Sequence, residues 1–149
     1  MSWLDVPTES CSIQRTLAVL GEKWTILLIR DAANGVHRFD DFRRHIGLSE
    51  AVLSDRLKTL VDNGIFETRE YQADGQRKRR EYRLTAKGWD LNPALVALGQ
   101  WGDEYLAGEA GPARRIEHND CGHAVRAVVQ CPHDGAVLTP RDMHAVELV

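Results

Sequence analysis

The stretch FDDFRRHIGLSEAVLSDRLKTLVDNG, residues 39–64, consists of two short amphipathic runs punctuated by glycine. Asp40 or Asp41 is placed to open the first run, DDFRRHI, and Gly47 to end it, since glycine accepts the left-handed conformation that follows a last helical turn. Ser49 then caps a second run that Gly64 closes. Two helices separated by Gly47 and Leu48 match a helix-turn-helix connection. The second helix can be tested on its wheel. At ~100° per residue, Leu53, Leu57 and Leu60 fall within about 60° of one another and form the buried side. Ala51, Ser54, Asp55 and Lys58 lie opposite, with Arg56 on the flank. These short or hydrogen-bonding side chains permit close approach to base edges. Asp55 is repelled by phosphates, and its place there is to accept from a cytosine amino group or to orient Arg56.

Downstream, residues 65–72 and 77–84 are β-type runs joined by ADGQ, and Asp-Gly between two such runs is a strong hairpin signal. RKRRE, residues 77–81, then sits at the hairpin tip. Between Arg69 and Lys87 there are seven Lys or Arg against three acids, in a chain whose net charge is −3. A basic patch on an acidic body is a field aimed at something negative. The alternative, a merely solvated charge run, is disfavoured by the position at a hairpin tip after a helix-turn-helix.

Upstream, residues 12–20 read as a short helix with Ile13, Leu17 and Leu20 on one side and Ser10 or Ser12 as cap. Residues 22–33 form a helix too apolar around its circumference for a surface element, stopped at Asn34-Gly35. HRF at 37–39 reads as a short strand. After the hairpin, Thr85 caps a long helix over residues 86–108, which Pro93 bends unless it is two pieces. Leu91, Leu95, Leu98, Trp101 and Tyr105 make one apolar stripe along it, either an internal core face or a partner surface. The order helix, helix, short strand, helix, turn, helix, hairpin, helix is that of a winged helix-turn-helix: mainly α with a β-hairpin wing (α+β). The expected geometry puts the recognition helix, about 49–63, in the major groove and the wing, 67–84, on the backbone or minor groove. Ser49, Ala51, Ser54, Asp55 and Arg56 would face bases. Arg43, Arg44, Lys58, Arg77, Lys78, Arg79 and Arg80 would face phosphates. That reading requires helix and wing to face the same way, so that one duplex touches both.

The totals exclude other classes. At 149 residues with 43% hydrophobic and 28% charged residues, the chain should fold and bury a core. No apolar run approaches the ~20 residues of a membrane span, and no signal peptide is recognisable, so the expected location is cytoplasmic. Cys11, Cys121 and Cys131 are odd in number and widely spaced, as expected of reduced thiols. There is no phosphate loop, paired-carboxylate site or oriented nucleophile, so an enzyme is not expected. A winged helix used only as a protein-interaction module would not need the cations at the wing.

The residues from CSIQRTLAVLGEKWTILLIRDAANG through HRFDDFRRHIGLSEAVLSDRLKTLVDNGIFETREY to YRLTAKGWDLNPALVALGQWG resemble the HxlR-type winged helix-turn-helix transcriptional regulators, relatives of the MarR group, over about residues 11 to 105. The cues are Cys-x-Ile, Gly-x-Lys-Trp-Thr, Arg-Phe-x-x-Phe, Val-Leu-Ser-x-Arg-Leu-x-x-Leu, Tyr-x-Leu-Thr and a closing Trp-Gly. The resemblance implies a bacterial dimeric DNA-binding regulator, usually a repressor, that reads an inverted repeat. Its first and last helices make the dimer interface, here Ile13 and Leu17 with Leu91, Leu95, Leu98, Trp101 and Tyr105. Glu50-Ala51 departs from the polar or basic pair that members commonly carry at this position, which bears on the operator sequence. Several members also carry an N-terminal cysteine that answers oxidants, which makes Cys11 a redox candidate; a small buried residue at the dimer interface is the other reading.

Residues 1–108 are therefore expected to form the DNA-binding and dimerisation domain. Residues 109–149 form a linker and small extension with one strand, AVRAVVQ. There His118, Cys121, His123, Cys131 and His133 form two knuckle-like clusters, and tetrahedral zinc needs four such ligands. Relatives with this kind of extension carry a fuller Cys-x-x-Cys in the second turn, where this chain has Asp134. No cofactor is required by this reading; zinc is the alternative, and an oxidant or small molecule is the candidate effector.

Overall fold

A helix with no polar face wide enough for solvent has to lie inside, and α2 (Lys23–Ala33) does so, burying Thr25, Leu28, Ile29, Asp31 and Ala32. The computed structural model describes residues 3–5 and 7–146, which fall into two compact units, Met1–Asn92 and Pro93–Val149. In the first unit α1 (Ser12–Leu20) precedes α2 and buries only Leu20. α3 (Phe39–Ile46) and α4 (Glu50–Asp62) follow. Gly47 between them adopts φ 79° and donates its N–H to the Arg43 carbonyl. A side chain at that angle would be strained, so the tight turn depends on glycine. Phe42 from α3 and Leu53, Leu57 and Leu60 from α4 are completely enclosed, each worth about 1.5–3 kcal/mol of burial.

The sheet pairs β1 (Phe66–Tyr71) antiparallel to β2 (Arg79–Leu84), in register from Phe66↔Leu84 to Tyr71↔Arg79. Phe66 stacks on Phe42, with ring centroids 6.3 Å apart, and so joins the wing to α3. α5 (Ala86–Trp89) is capped by Thr85, whose hydroxyl accepts from the Gly88 N–H and donates to the Gly64 carbonyl at 2.6 Å. Gly88 lies so close to the Ile65 carbonyl oxygen that a Cβ there would collide.

In the second unit α6 (Asn92–Tyr105) buries no residue. Its Gln100 donates to the Val125 carbonyl and accepts from the Ala127 N–H, each at 2.8 Å, and so ties residues 125–127 to the helix. β3 (Val129–Gln130) pairs antiparallel with β4 (Val137–Leu138).

Several local expectations are corrected. The cap of α1 is Cys11, which makes no side-chain cap bond, instead of Ser10 or Ser12; Ser10 ends a preceding 3-10 turn and Ser12 is already helical. α3 starts at Phe39, one residue before the expected aspartates, which sit in its first turn where negative charge suits the helix dipole. Because Phe39 is helical, the strand expected at 37–39 shrinks to a single bridge, Arg38↔Glu81. The ladder runs out to Tyr71↔Arg79, so Arg79 and Arg80 lie in β2 and only Arg77 and Lys78 in the loop. The long terminal helix is two pieces. It breaks after Trp89 and resumes at Asn92, which puts Pro93 in a first turn where its missing N–H costs no bond. The tail strand is shorter than AVRAVVQ: only Val129 and Gln130 pair within a ladder, and Ala124 bridges Glu117.

Candidate nucleic-acid interface

With Leu53, Leu57 and Leu60 turned into the core, the opposite face of α4 is left to solvent: Ala51, Ser54, Asp55 and Lys58 are all exposed. Ser49 caps the helix, its hydroxyl accepting from the Val52 N–H at 3.3 Å. Arg56 is less available. Its side chain is only 25% exposed, sits 3.5 Å from Glu22 and 3.2 Å from Asp55, and has a buried Nε without a partner among the described residues. Asp55 thus does bind Arg56. Glu22 was not anticipated, because residues 34 positions apart in sequence give no periodic signal of contact.

Most of the cations expected to face phosphate are already paired. Arg43 holds Glu50 at 2.6 Å across the helix-turn-helix, Arg44 holds Asp41 at 2.9 Å, and Lys58 pairs with Asp62 one turn on. On the wing, Lys78 is 3.7 Å from Glu70 and Arg79 is 3.4 Å from Asp40. Arg77 and Arg80 make no ion pair among the described residues and are exposed. All these pairs lie at the surface, where each contributes about 0–1 kcal/mol and a phosphate can displace the carboxylate.

Two polar constellations escaped the sequence reading. Asp31, 3% exposed on α2, takes Arg30 at 2.6 Å and His45 of α3 at 2.6 Å, pinning the first helix of the helix-turn-helix to the core helix. At the base of the wing, burial and the Arg83 charge push the His37 imidazole below its ordinary pKa, so it is disposed to stay neutral; its Nδ1 is buried and unpaired among the described residues. A histidine before Arg-Phe carries no sequence mark of such a role.

Among the exposed apolar residues are several on α1 and α6. Ile13 and Leu17 of α1 are exposed, as are Leu98, Trp101 and Tyr105 of α6, the last two with ring centroids 5.4 Å apart. Leu91 and Leu95 are half-buried.

Cys11 is half-buried at the start of α1. In the second unit, His118 Nδ1 lies 3.3 Å from Cys121 Sγ, and the His123 ring lies 3.0 Å from the Cys121 carbonyl. Cys131 sits in the other turn, where the Ala136 N–H first, and the Cys131 thiol after it, keep the Asp134 carboxyl below its usual range. His118, Cys121, His123, Cys131 and His133 do not come together: among the described residues no three His, Cys, Asp or Glu side chains are gathered to hold a metal ion. Tetrahedral zinc would need four.

Comparison with known proteins points one way. The HxlR-like helix-turn-helix family matches residues 19–110. An uncharacterized HTH-type transcriptional regulator of Mycobacterium tuberculosis is 42% identical over 135 residues, 91% of this chain and 84% of that protein. The crystal structure of PA1607, described as a candidate transcription factor, superposes with a TM-score of 0.81 at 35% identity, covering 93% of this chain and 96% of that one. The redox regulator HypR in its reduced form superposes with a TM-score of 0.57 at 29% identity, covering 63% of this chain and 92% of that one.

Proposed function

Since the chain belongs to the HxlR-like helix-turn-helix family, and so is a DNA-binding transcriptional regulator rather than an enzyme, we propose that it acts as a cytoplasmic homodimeric repressor of an inverted-repeat operator. α4, within residues 49–63, enters the major groove, where Ala51, Ser54 and Asp55 meet base edges. The wing, residues 67–84, meets the backbone or minor groove. Arg43, Arg44 and Lys58 exchange their carboxylate partners for phosphates, while Arg77 and Arg80 enter with none to release. The observation that carries this reading is the division of α4 into a fully buried leucine side and an exposed side of small and polar residues.

Residues 1–108 serve DNA binding and dimerisation. Ile13 and Leu17 with Leu91, Leu95, Leu98, Trp101 and Tyr105 cover each other in the dimer, and an apolar face left in water supports that. Two recognition helices related by a two-fold axis then present themselves about one DNA turn apart, ~34 Å. Enrichment of bound genomic fragments followed by footprinting tests the proposal: it predicts two inverted half-sites with centres one turn apart, and an asymmetric single site would refute the dimeric reading. On any duplex, replacing Arg77 and Arg80 by alanine should lower the salt slope of binding by about 2.

A second reading concerns the effector. HypR, known in reduced and oxidised forms, is a redox regulator, and Cys11 stands half-buried at the N-terminus of α1. An oxidant acting at Cys11 would then switch DNA affinity. Mild peroxide treatment of wild type and Cys11→Ser decides it, since an affinity change shared by both excludes Cys11.

A further inference from the structure

The cationic loop of the wing does not hang from β1 and β2 alone. His37-Arg38 lies alongside β2, where the Tyr82 N–H donates to the His37 carbonyl at 2.8 Å and Arg38 bridges Glu81. From there the Arg38 side chain reaches the other strand: its guanidinium carbon lies 4.5 Å from the centroid of the Tyr71 ring, while its Nε stays 3.6 Å from the Glu81 carboxylate. Tyr71↔Arg79 is the last rung of the ladder before the loop. The contact therefore grips the hairpin at the point from which Arg77 and Lys78 extend. Glu81 is a firm anchor, with its side chain only 15% exposed and a second hold from Arg83 at 2.8 Å. Arg83 first, and Arg38 after it, keep its carboxyl below the usual range, so it is ionised near neutral pH. Arg79 adds an outer tie to Asp40 in the first turn of α3.

We propose that Arg38 is a positioning residue for DNA binding, a strap from the start of α3 across both strands of the wing that sets where Arg77 and Arg80 meet the duplex. This rests on the wing contact assigned above. The strap needs a planar cation, because a guanidinium can lie on a ring face while its edge addresses a carboxylate, and a lysine ammonium serves only one of the two. The competing role for an exposed arginine here is a direct phosphate contact, which any cation would supply.

Two measurements on the full chain separate these. The first is amide hydrogen exchange at Tyr71 and Arg79 without DNA. The second is affinity for a random-sequence duplex of about three helical turns, ~30 base pairs, across a salt series. Arg38→Gln should speed exchange at both amides several-fold and weaken duplex binding about three- to tenfold, and Arg38→Lys should rescue neither. In an Arg77→Ala/Arg80→Ala background, Arg38→Gln should change affinity less than about twofold, since the residues act as one unit. Unchanged exchange, full rescue by lysine, or an undiminished loss in the double-alanine background each overturns the strap. If instead Arg77→Ala/Arg80→Ala leaves duplex affinity and its salt slope untouched, the wing contact itself is wrong and the inference falls with it, whatever the exchange shows.

Discussion

α4 and α6 are nearly matched helices with opposite fates. Each carries an apolar stripe at helical spacing, over 13 and 14 residues. α4 encloses Leu53, Leu57 and Leu60 completely, whereas α6 buries nothing and leaves Trp101 58% exposed. A periodic stripe states that a face seeks apolar company. It does not state whether the company is the same chain, and on the proposed dimer the difference between these helices is the difference between a core and a surface awaiting a partner.

The sharpest way to break the comparison is to truncate one side chain from each stripe. Leu57→Ala should cost about 2–5 kcal/mol of stability, read from denaturant midpoints. Trp101→Ala should leave the protomer folded and instead shift sedimentation from dimer towards monomer. Equal destabilisation by both would mean that α6 is an ordinary core helix. Gly88→Ala comes next. Its methyl meets the Ile65 carbonyl, and overpacking of that kind costs about 1–3 kcal/mol, so the thermal midpoint should fall without loss of sedimentation as a dimer.

A smaller effect follows from His37. Its folded pKa is lowered by burial and by Arg83, so the unfolded chain takes up the proton first, near pH ~6.5. The stabilising contribution of the neutral ring is complete above that value and is lost as pH falls through the lower folded pKa. Wild type should therefore lose stability between pH 7.5 and 5.5 relative to His37→Asn, in urea midpoints measured at both values, and a constant difference would exclude the effect. Glu81, whose folded pKa is depressed, makes its own contribution above its unfolded value and loses it only at more acidic pH, outside this window. The smallest effect is on binding alone. Glu50→Gln releases Arg43 from its carboxylate and should strengthen random-duplex binding a few-fold, while stability moves by under about 1 kcal/mol.

Much of this molecule is legible residue by residue. Ser49, Gly47 and the leucines of α4 announce a helix-turn-helix because caps, left-handed turns and helical wheels are local chemistry, repeated every few residues. The hairpin is equally local, since Asp74-Gly75 sits between two β-rich runs. What was misjudged locally was misjudged for identifiable reasons. Phe39 enters the helix a residue early with its ring only half-buried, and the cations at 77–80 divide between loop and strand because backbone pairing carries the ladder as far as Tyr71↔Arg79.

Sequence alone determined the kind of protein: which stretches coil, which turn, which face of α4 must hide, and where positive charge gathers. Only the tertiary structure decided how those charges are spent. The holds of Arg43 on Glu50, Arg56 on Glu22 and Arg38 on Tyr71 and Glu81 join residues brought near by packing. Coulomb attraction and ring stacking depend on distances of a few ångströms, which spacing along the chain does not encode once it has turned back on itself.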